Sequence, residues 1–544
     1  MRHRRFFTVL AALALSAAMV LSVGAVSLEQ VEVKAPVKNV ILLIPDGMST
    51  DVVTLARWYQ GGGALNLDSM ASGLVRTYSS DAPIADSAPA GTAMATGHKS
   101  HTGYVGVLPD VNSMPGLDPL EAGTARAPVA SILEAARLEG KATGVIATSE
   151  IMHATPADFT AHYASRKDYD ILSKQQVYQG VDVVLGAGSG YLAGQGRADG
   201  NDLIEVIQEN YQYVTTPAGM EAVTSGKLWG MFAETALAYE FDRDPKSEPS
   251  LAQMTEKAIE LLSQDEDGFF LMVEGSKIDW AAHANDPIGL ISDCLAFDRA
   301  VGVALDFAKA DGNTLVIAAT DHGNSGVSIG SAATTGDYDK QPLSNFIDPL
   351  KKATLTGEGL EKVLNAERSN VVEVMSRYFG IDDLTDEEIE AIKNTENGSM
   401  NYTVGPMIAR RADIGFTTGG HTGEDVTLYV YAPANISQLT GTVENTDIAL
   451  YMAKAFGVDL DETTERLFVP ARKAVEAIGG TISFDRSDKG NPILTISKGD
   501  VEVKMPVYTN IAYVNGEKTL LDGVTVFDGV GTNYVPQSAI DLLK

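Results

Sequence analysis

Five short islands of this chain carry side chains that bind divalent metals or attack phosphorus. They are Ile44-Pro45-Asp46-Gly47-Met48, Asp86-Ser87-Ala88, His153-Ala154-Thr155-Pro156, the run from Glu274 to His283, and Asp321-His322 with the distant His421. Carboxylates and imidazoles suit zinc, and oxygen donors suit magnesium. A serine beside zinc suits phosphoryl transfer, because a metal makes the hydroxyl a usable nucleophile.

Each island also has a plainer reading. Asp279 and His283 stand four apart, which on a helix puts both on one face, able to grip one zinc. A solvated aspartate and a surface histidine would share that spacing. Asp321-His322 closes the apolar run Leu315 to Thr320, where a binding crevice or an ordinary strand-to-loop transition would fit. His421 lies in Gly419-Gly420-His421-Thr422-Gly423, whose glycines admit close approach to an ion or simply make a turn. Asp46 is either a bridge between two metals or a turn residue. Ser87 precedes a small-residue helix expected from Ala88 to Thr96, whose electropositive start favours an alkoxide and an incoming phosphate. Asp86 or Ser87 as a helix N-cap explains that segment as well, and taken alone the segment favours the cap. Arg166, in Ser165-Arg166-Lys167, has a planar fork that matches two phosphate oxygens; alone it reads as a surface arginine.

These residues need elements to position them. Val40 to Ile44 is a continuous apolar run that predicts a buried strand, with Asp46 just beyond its C-terminal end. Further strands are predicted over Lys141 to Thr148, Phe269 to Val273, Asn313 to Thr320 and Thr427 to Tyr431, with helices such as Ala130 to Glu139 and Met254 to Ser263 between them. The alternation predicts an α/β fold: a mostly parallel central sheet with helices on both faces, binding ligands at its strand ends. From about Gly326 to Arg411 the rhythm breaks into a polar loop and helical segments such as Asp386 to Asn394. This insertion is open to two readings, a lid or oligomer contact and a surface elaboration.

The whole has 544 residues, 44% hydrophobic and 21% charged, which allows one large domain and a smaller one. The net charge of -31 argues against nucleic acid or an anionic membrane as partner, and any attraction for phosphate must be local. Arg2, Arg4 and Arg5 precede an apolar stretch from Phe6 to Val23, and Val23-Gly24-Ala25 supplies small residues for cleavage. Residues 1–25 are therefore expected to be a signal peptide, in preference to an uncleaved anchor, leaving no transmembrane anchor and a secreted protein: extracellular, cell-wall or periplasmic. The single cysteine, Cys294, sits in an apolar helical stretch and is expected to be a buried, inert thiol.

Beyond Asp461-Glu462 the character changes. Phe468-Val469-Pro470 precedes an amphipathic helix, short strands follow over Thr481 to Phe484, Ile493 to Ser497 and Val501 to Met505, and Tyr534-Val535-Pro536 precedes a last helix. Residues 466–544 are expected to form a small, separate α+β module, after a catalytic domain over 26–460. It resembles copper amine oxidase N-terminal-like or stalk domains, a resemblance carried by the paired aromatic-Val-Pro units. With no histidine or cysteine there, no metal is expected. Contact with the cell envelope through this module is the non-enzymatic alternative, and its deletion is expected to spare turnover.

Taken together, the islands "IPDGMS", "DSAPAGTAMATG", "HATPADFTAHYASR", "EGSKIDWAAH", "TDHG" and "GGHTGE" resemble the signature blocks of the alkaline phosphatase family, from Val40 to Gly457. The resemblance implies hydrolysis of phosphate monoesters at alkaline pH through a phosphoserine on Ser87. It implies a first zinc held by Asp279, His283 and His421, and a second by Asp46, Asp321 and His322 with Ser87. Asp46, Thr155 and Glu274 would hold a magnesium, and Arg166 the phosphate. It implies small phosphorylated metabolites as substrates and a homodimer. His153 stands where the best-known bacterial pattern has aspartate, and Trp280 where it has lysine. Both would then face substrate, His153 also touching the third metal, where cobalt or zinc could compete with magnesium. Among rivals, a sulfatase would need arginine where Ser87-Ala88-Pro89-Ala90-Gly91 has glycine. A phosphodiesterase of the same superfamily is the nearer alternative. His162 is expected to be structural.

Overall fold

The computed structural model describes residues 26–544, so the expected signal peptide lies outside the described residues. Ten strands form one sheet: β1 (Asn39–Ile44), β2 (Ala71–Arg76), β3 (Ala142–Glu150), β4 (Val183–Ala187), β5 (Gln212–Val214), β6 (Leu228–Met231), β7 (Phe269–Glu274), β8 (Thr314–Ala319), β9 (Val426–Tyr431) and β10 (Gly441–Glu444). Their spatial order is β10-β2-β9-β8-β1-β7-β3-β4-β6-β5. Every neighbouring pair is parallel except those made by β9, which runs antiparallel to β8 and β2.

The continuous apolar run of β1 reflects burial on both faces. Ile41 and Leu43 enter one hydrophobic core, Val40, Leu42 and Ile44 the other. Helices cover both sides, Leu251–Leu262 and Pro287–Asp311 on one, Ile132–Leu138 and Asn445–Phe456 on the other. Cys294 lies fully buried in the latter, its sulfur 3.8 Å from that of Met48, and burial pushes its thiol pKa up.

The insertion holds five α-helices: Leu343–Lys351, Gly357–Val363, Val371–Phe379, Asp386–Asn394 and Met400–Arg411. The last packs on Pro287–Asp311, and buried Leu350, Leu360, Met375 and Val404 join the core of that face. The helix expected over Asp386 to Asn394 has those bounds, and Thr385 caps it reciprocally with Glu388.

Beyond the sheet domain, Thr481–Asp485, Ile493–Lys498, Val501–Pro506, Ile511–Val514 and Glu517–Leu520 make a five-stranded antiparallel meander. The two aromatic-Val-Pro units pair with each other: Val469 lies opposite Val535 and Pro470 opposite Tyr534. The module expected over 466–544 packs on the sheet domain along its inner face. Leu467, Phe468, Val524, Val526 and Tyr534 form one buried cluster with Ala130 of the sheet domain. The Phe468 ring meets His162 edge-on at 4.5 Å, and Tyr508 meets Tyr163 at 6.2 Å. Asn491 accepts from Lys174 at 3.0 Å and from Asn201 at 2.8 Å. The module is docked rather than tethered.

Candidate metal centre

All five islands reach the same edge of the sheet. Asp46 follows the C-terminal end of β1, Glu274 ends β7, His153 and Thr155 follow β3, and Asp321-His322 follow β8. His421 precedes β9, and because β9 is antiparallel its N-terminal end lies at that edge too. Gly47 has φ +67°, and a β-carbon there would stand 2.6 Å from Asp279 Oδ1. Only glycine makes this turn beside that carboxylate.

Three groups of donors sit close enough to share an ion: Asp279, His283 and His421; Asp46, Asp321 and His322; Asp46, His153 and Glu274, with the donor atoms of each group within 4.8 Å of one another. Asp279 and His283 share one face of the helix Lys277–His283. His283 Nδ1 lies 2.8 Å from the Gly419 carbonyl and His421 Nδ1 lies 2.7 Å from that of Ala85. Those carbonyls accept the ring N–H groups, which assigns the tautomer and leaves Nε2 of each ring a bare acceptor. The two Nε2 atoms then face each other at 3.1 Å, with Asp279 Oδ2 3.3 Å from that of His283. Facing lone pairs with a carboxylate between them are the donor set of a cation.

Burial supports this. Both oxygens of Asp46, one each of Asp321 and Glu274, Thr155 Oγ1 and His153 Nδ1 are buried without a hydrogen-bond partner. Unpartnered buried polar atoms are costly unless an ion satisfies them. Burial and the neighbouring carboxylates push Asp46 well above the usual carboxylate range, and Asp321 to about 6. Burial pushes Glu274 to about 8. Asp279 is the exception: burial opposes its ionisation, yet His283, His322 and His421 together hold it low. Crowded anions of this kind call for counter-cations, and the residues present fit divalent metals.

Ser87 is the first residue of the helix Ser87–Thr96, one position earlier than expected. Its Oγ is 3.1 Å from His322 Nε2, itself 3.2 Å from Asp321 Oδ2 and 3.5 Å from Asp46 Oδ1. The plain reading of Asp86 as a side-chain cap fails, because its carboxylate makes no bond to this helix. One oxygen accepts from the Gly103 N–H at 3.0 Å, and the other is paired with Arg166 Nη1. Arg166 Nη2 donates to His153 Nε2 at 3.0 Å, and burial with the adjacent guanidinium depresses His153 to about 3. Trp280, half-buried, turns to His153 with ring centroids 6.1 Å apart.

Two contributors escaped the sequence reading as partners. Asp86 orients Arg166, and Asn324 Nδ2 donates to Asp279 Oδ1 at 2.6 Å. His162 is structural as expected: it is buried, with Nδ1 2.8 Å from the Gly106 carbonyl and Nε2 3.0 Å from Glu134.

Comparison with known proteins agrees with this geometry. Residues 37–458 match the family model described as alkaline phosphatase, and residues 456–541 the one described as copper amine oxidase N-terminal domain. The chain is 36% identical over 435 residues to alkaline phosphatase 4 of Bacillus subtilis, covering 76% of this chain and 88% of that one. The crystal structure of Thermus thermophilus alkaline phosphatase superimposes with a TM-score of 0.68 at 26% identity, covering 82% of this chain and 98% of that one. A variant of the alkaline phosphatase from the Antarctic bacterium TAB5, with a histidine replaced by glutamate and magnesium bound in its M3 site, gives a TM-score of 0.56 at 28% identity, covering 78% and 99%.

Proposed function

The chain belongs to the alkaline phosphatase family and hydrolyses phosphate monoesters, and from that premise we propose the roles of its residues. Asp279, His283 and His421 hold one zinc, and Asp46, Asp321 and His322 hold a second next to Ser87. Asp46, Thr155 and Glu274, with His153 beside them, hold a third ion, magnesium bound more weakly than usual, with cobalt or zinc as competitors. The observation that carries this reading is the convergence of three donor groups on one buried serine. When bound, the metals supply Lewis acidity to the serine oxygen and the leaving alkoxide, and a source of hydroxide.

The chain's own residues do the rest. Ser87 Oγ attacks phosphorus in line, the bond to the leaving alcohol breaks, and a phosphoserine forms. Water then attacks the same phosphorus from the vacated side, releasing inorganic phosphate and restoring the hydroxyl. The start of the helix Ser87–Thr96 places partial positive charge under the transferring group. Arg166, oriented by Asp86 and touching His153, offers its fork to the phosphate oxygens; a monoester has one more charged oxygen to satisfy than a diester. Secretion after cleavage near residue 25, small phosphorylated metabolites as substrates, envelope contact through the C-terminal module and assembly as a homodimer belong to the same proposal. Among the described residues no helix is long and apolar enough to cross a membrane.

The test is hydrolysis of 4-nitrophenyl phosphate at alkaline pH by the wild type and Ser87→Ala, with zinc, magnesium and cobalt added in turn. Turnover should fall by at least about a thousandfold in the variant. Faster turnover of bis(4-nitrophenyl) phosphate than of the monoester would move the assignment to a phosphodiesterase.

A further inference from the structure

Trp280 belongs to two places at once. It faces His153 in the crevice, and it lines an adjoining pocket of about 210 Å³. The other walls of that pocket include Tyr239, together with Glu358, Asn401 and Tyr402 from the insertion. Tyr402 is 58% exposed at its rim. Partial burial raises its hydroxyl pKa. Trp280 is therefore the wall that pocket and crevice share.

The chemistry of the walls is selective. Lys277 is the cation nearest these rings: its Nζ lies 4.1 Å over the Tyr239 ring and 4.6 Å over that of Trp280. It is almost fully buried and donates to Glu358 Oε2 at 2.9 Å, so its charge is spent and the aromatic rings are held in place. Glu361 is likewise engaged, accepting from the Gly398 N–H and lying 3.6 Å from Arg368. Among the described residues no cation lines the pocket to welcome a second anionic group, and the nearby Lys362 faces the other oxygen of Glu358 at 3.7 Å. What remains is acceptor character: the carboxylate of Glu358 and Asn401 Oδ1, which is buried with no partner. Flat aromatic faces beside a carboxylate and one unpartnered amide oxygen fit a neutral ring that donates hydrogen bonds.

We propose that this pocket receives the alcohol half of the substrate, and that it fits a nucleoside, making nucleoside 5′-monophosphates preferred substrates. The inference rests on the phosphomonoesterase reading of Ser87. The base stacks on Trp280 and Tyr402 while its amine, or the ribose hydroxyls, donate to Asn401 and Glu358.

The experiment compares kcat/KM for adenosine 5′-monophosphate with that for glycerol 2-phosphate, which lacks a ring, in the wild type, Tyr402→Ala and Tyr402→Phe. The wild type should prefer the nucleotide by about tenfold or more, a difference on the order of 1.4 kcal/mol. Tyr402→Ala should bring the ratio close to unity, and Tyr402→Phe, which keeps the ring, should retain most of it. Equal constants for the two substrates in the wild type, or a parallel fall for both in Tyr402→Ala, overturns the inference while leaving the phosphatase assignment standing. Failure of the wild type on glycerol 2-phosphate, 4-nitrophenyl phosphate and the nucleotide alike overturns both.

Discussion

Arg166 is held from two sides, by the carboxylate of Asp86 and by the neutral imidazole of His153. A guanidinium binds two phosphate oxygens well only if its plane is fixed before the ligand arrives. Asp86 is thus a positioning residue, with a measurable signature. Asp86→Ala should raise KM and the inhibition constant for inorganic phosphate by about tenfold, on the order of 1.4 kcal/mol, with kcat falling less. The same change made in an Arg166→Ala background should add little, because the two side chains act as a unit. Additive losses would show that Asp86 serves the helix of Ser87 instead. The partnership was not legible in the sequence, where the two residues are 80 positions apart and Asp86 reads as a cap. The converging donor groups were legible because each island pairs a ligand-type residue with the end of a strand or the face of a helix. His153 carries a second prediction. A neutral imidazole is a softer neighbour for the third ion than the aspartate of the best-known bacterial pattern. Dialysed enzyme should lose most of its activity and regain it only with added divalent ions, magnesium acting weakly. In His153→Asp, magnesium activation should saturate at a lower concentration. Full activity from two tightly held zinc ions alone would contradict this.

The elements that carry the site differ in how plainly they announced themselves. β1, β3, β7 and β8 are buried on both faces, so their apolar runs stand out and their polar termini mark the binding edge. β9 looked like one more such run. Its direction depends on the path of the chain through the insertion, which local sequence does not encode, yet that direction brings His421 to the metal edge. The insertion makes its own contribution through ionic ties between helices. Glu388 on Asp386–Asn394 accepts from Arg411 Nη1 at 2.8 Å and Nη2 at 2.7 Å, and from Arg410 at 3.1 Å, both on Met400–Arg411. Bonds from Arg411, against a smaller opposing effect of burial, lower Glu388 from 4.5 to about 2. A carboxylate whose folded pKa is depressed stabilises the fold fully above its unfolded value, and the contribution is lost as pH falls through the folded one. The insertion should therefore lose stability between about pH 4.5 and pH 2. Thermal unfolding followed across that window should show a steeper decline for wild type than for Glu388→Gln. Parallel curves would mean that the exposed side of this pair is screened enough to contribute nothing.

At the scale of the whole molecule, the C-terminal module bears on the segment that carries Arg166. Phe468 rests on His162 and Tyr508 on Tyr163, a few residues before Arg166, and Arg137 of the sheet domain donates to the carbonyl of Asp522. The module has its own core of Val475, Leu494, Ile496, Val503 and Met505. What composition cannot reveal is that Phe468, which reads as one more core aromatic, has its partner in another domain. These contacts argue for a different outcome from the expectation that deletion spares turnover. A chain ending at residue 458 should unfold at a lower temperature and lose part of its kcat/KM, with the loss in KM as the His162–Arg166 segment loosens. Phe468→Ala in the full chain isolates the contact. Burying an aromatic ring this completely is worth about 3 kcal/mol, whereas removing the exposed Leu520 side chain should change stability by less than about 0.5 kcal/mol. If the truncated chain keeps both its melting temperature and its KM, the module is a passenger on the enzyme, and what it touches outside the molecule becomes its reason for being there.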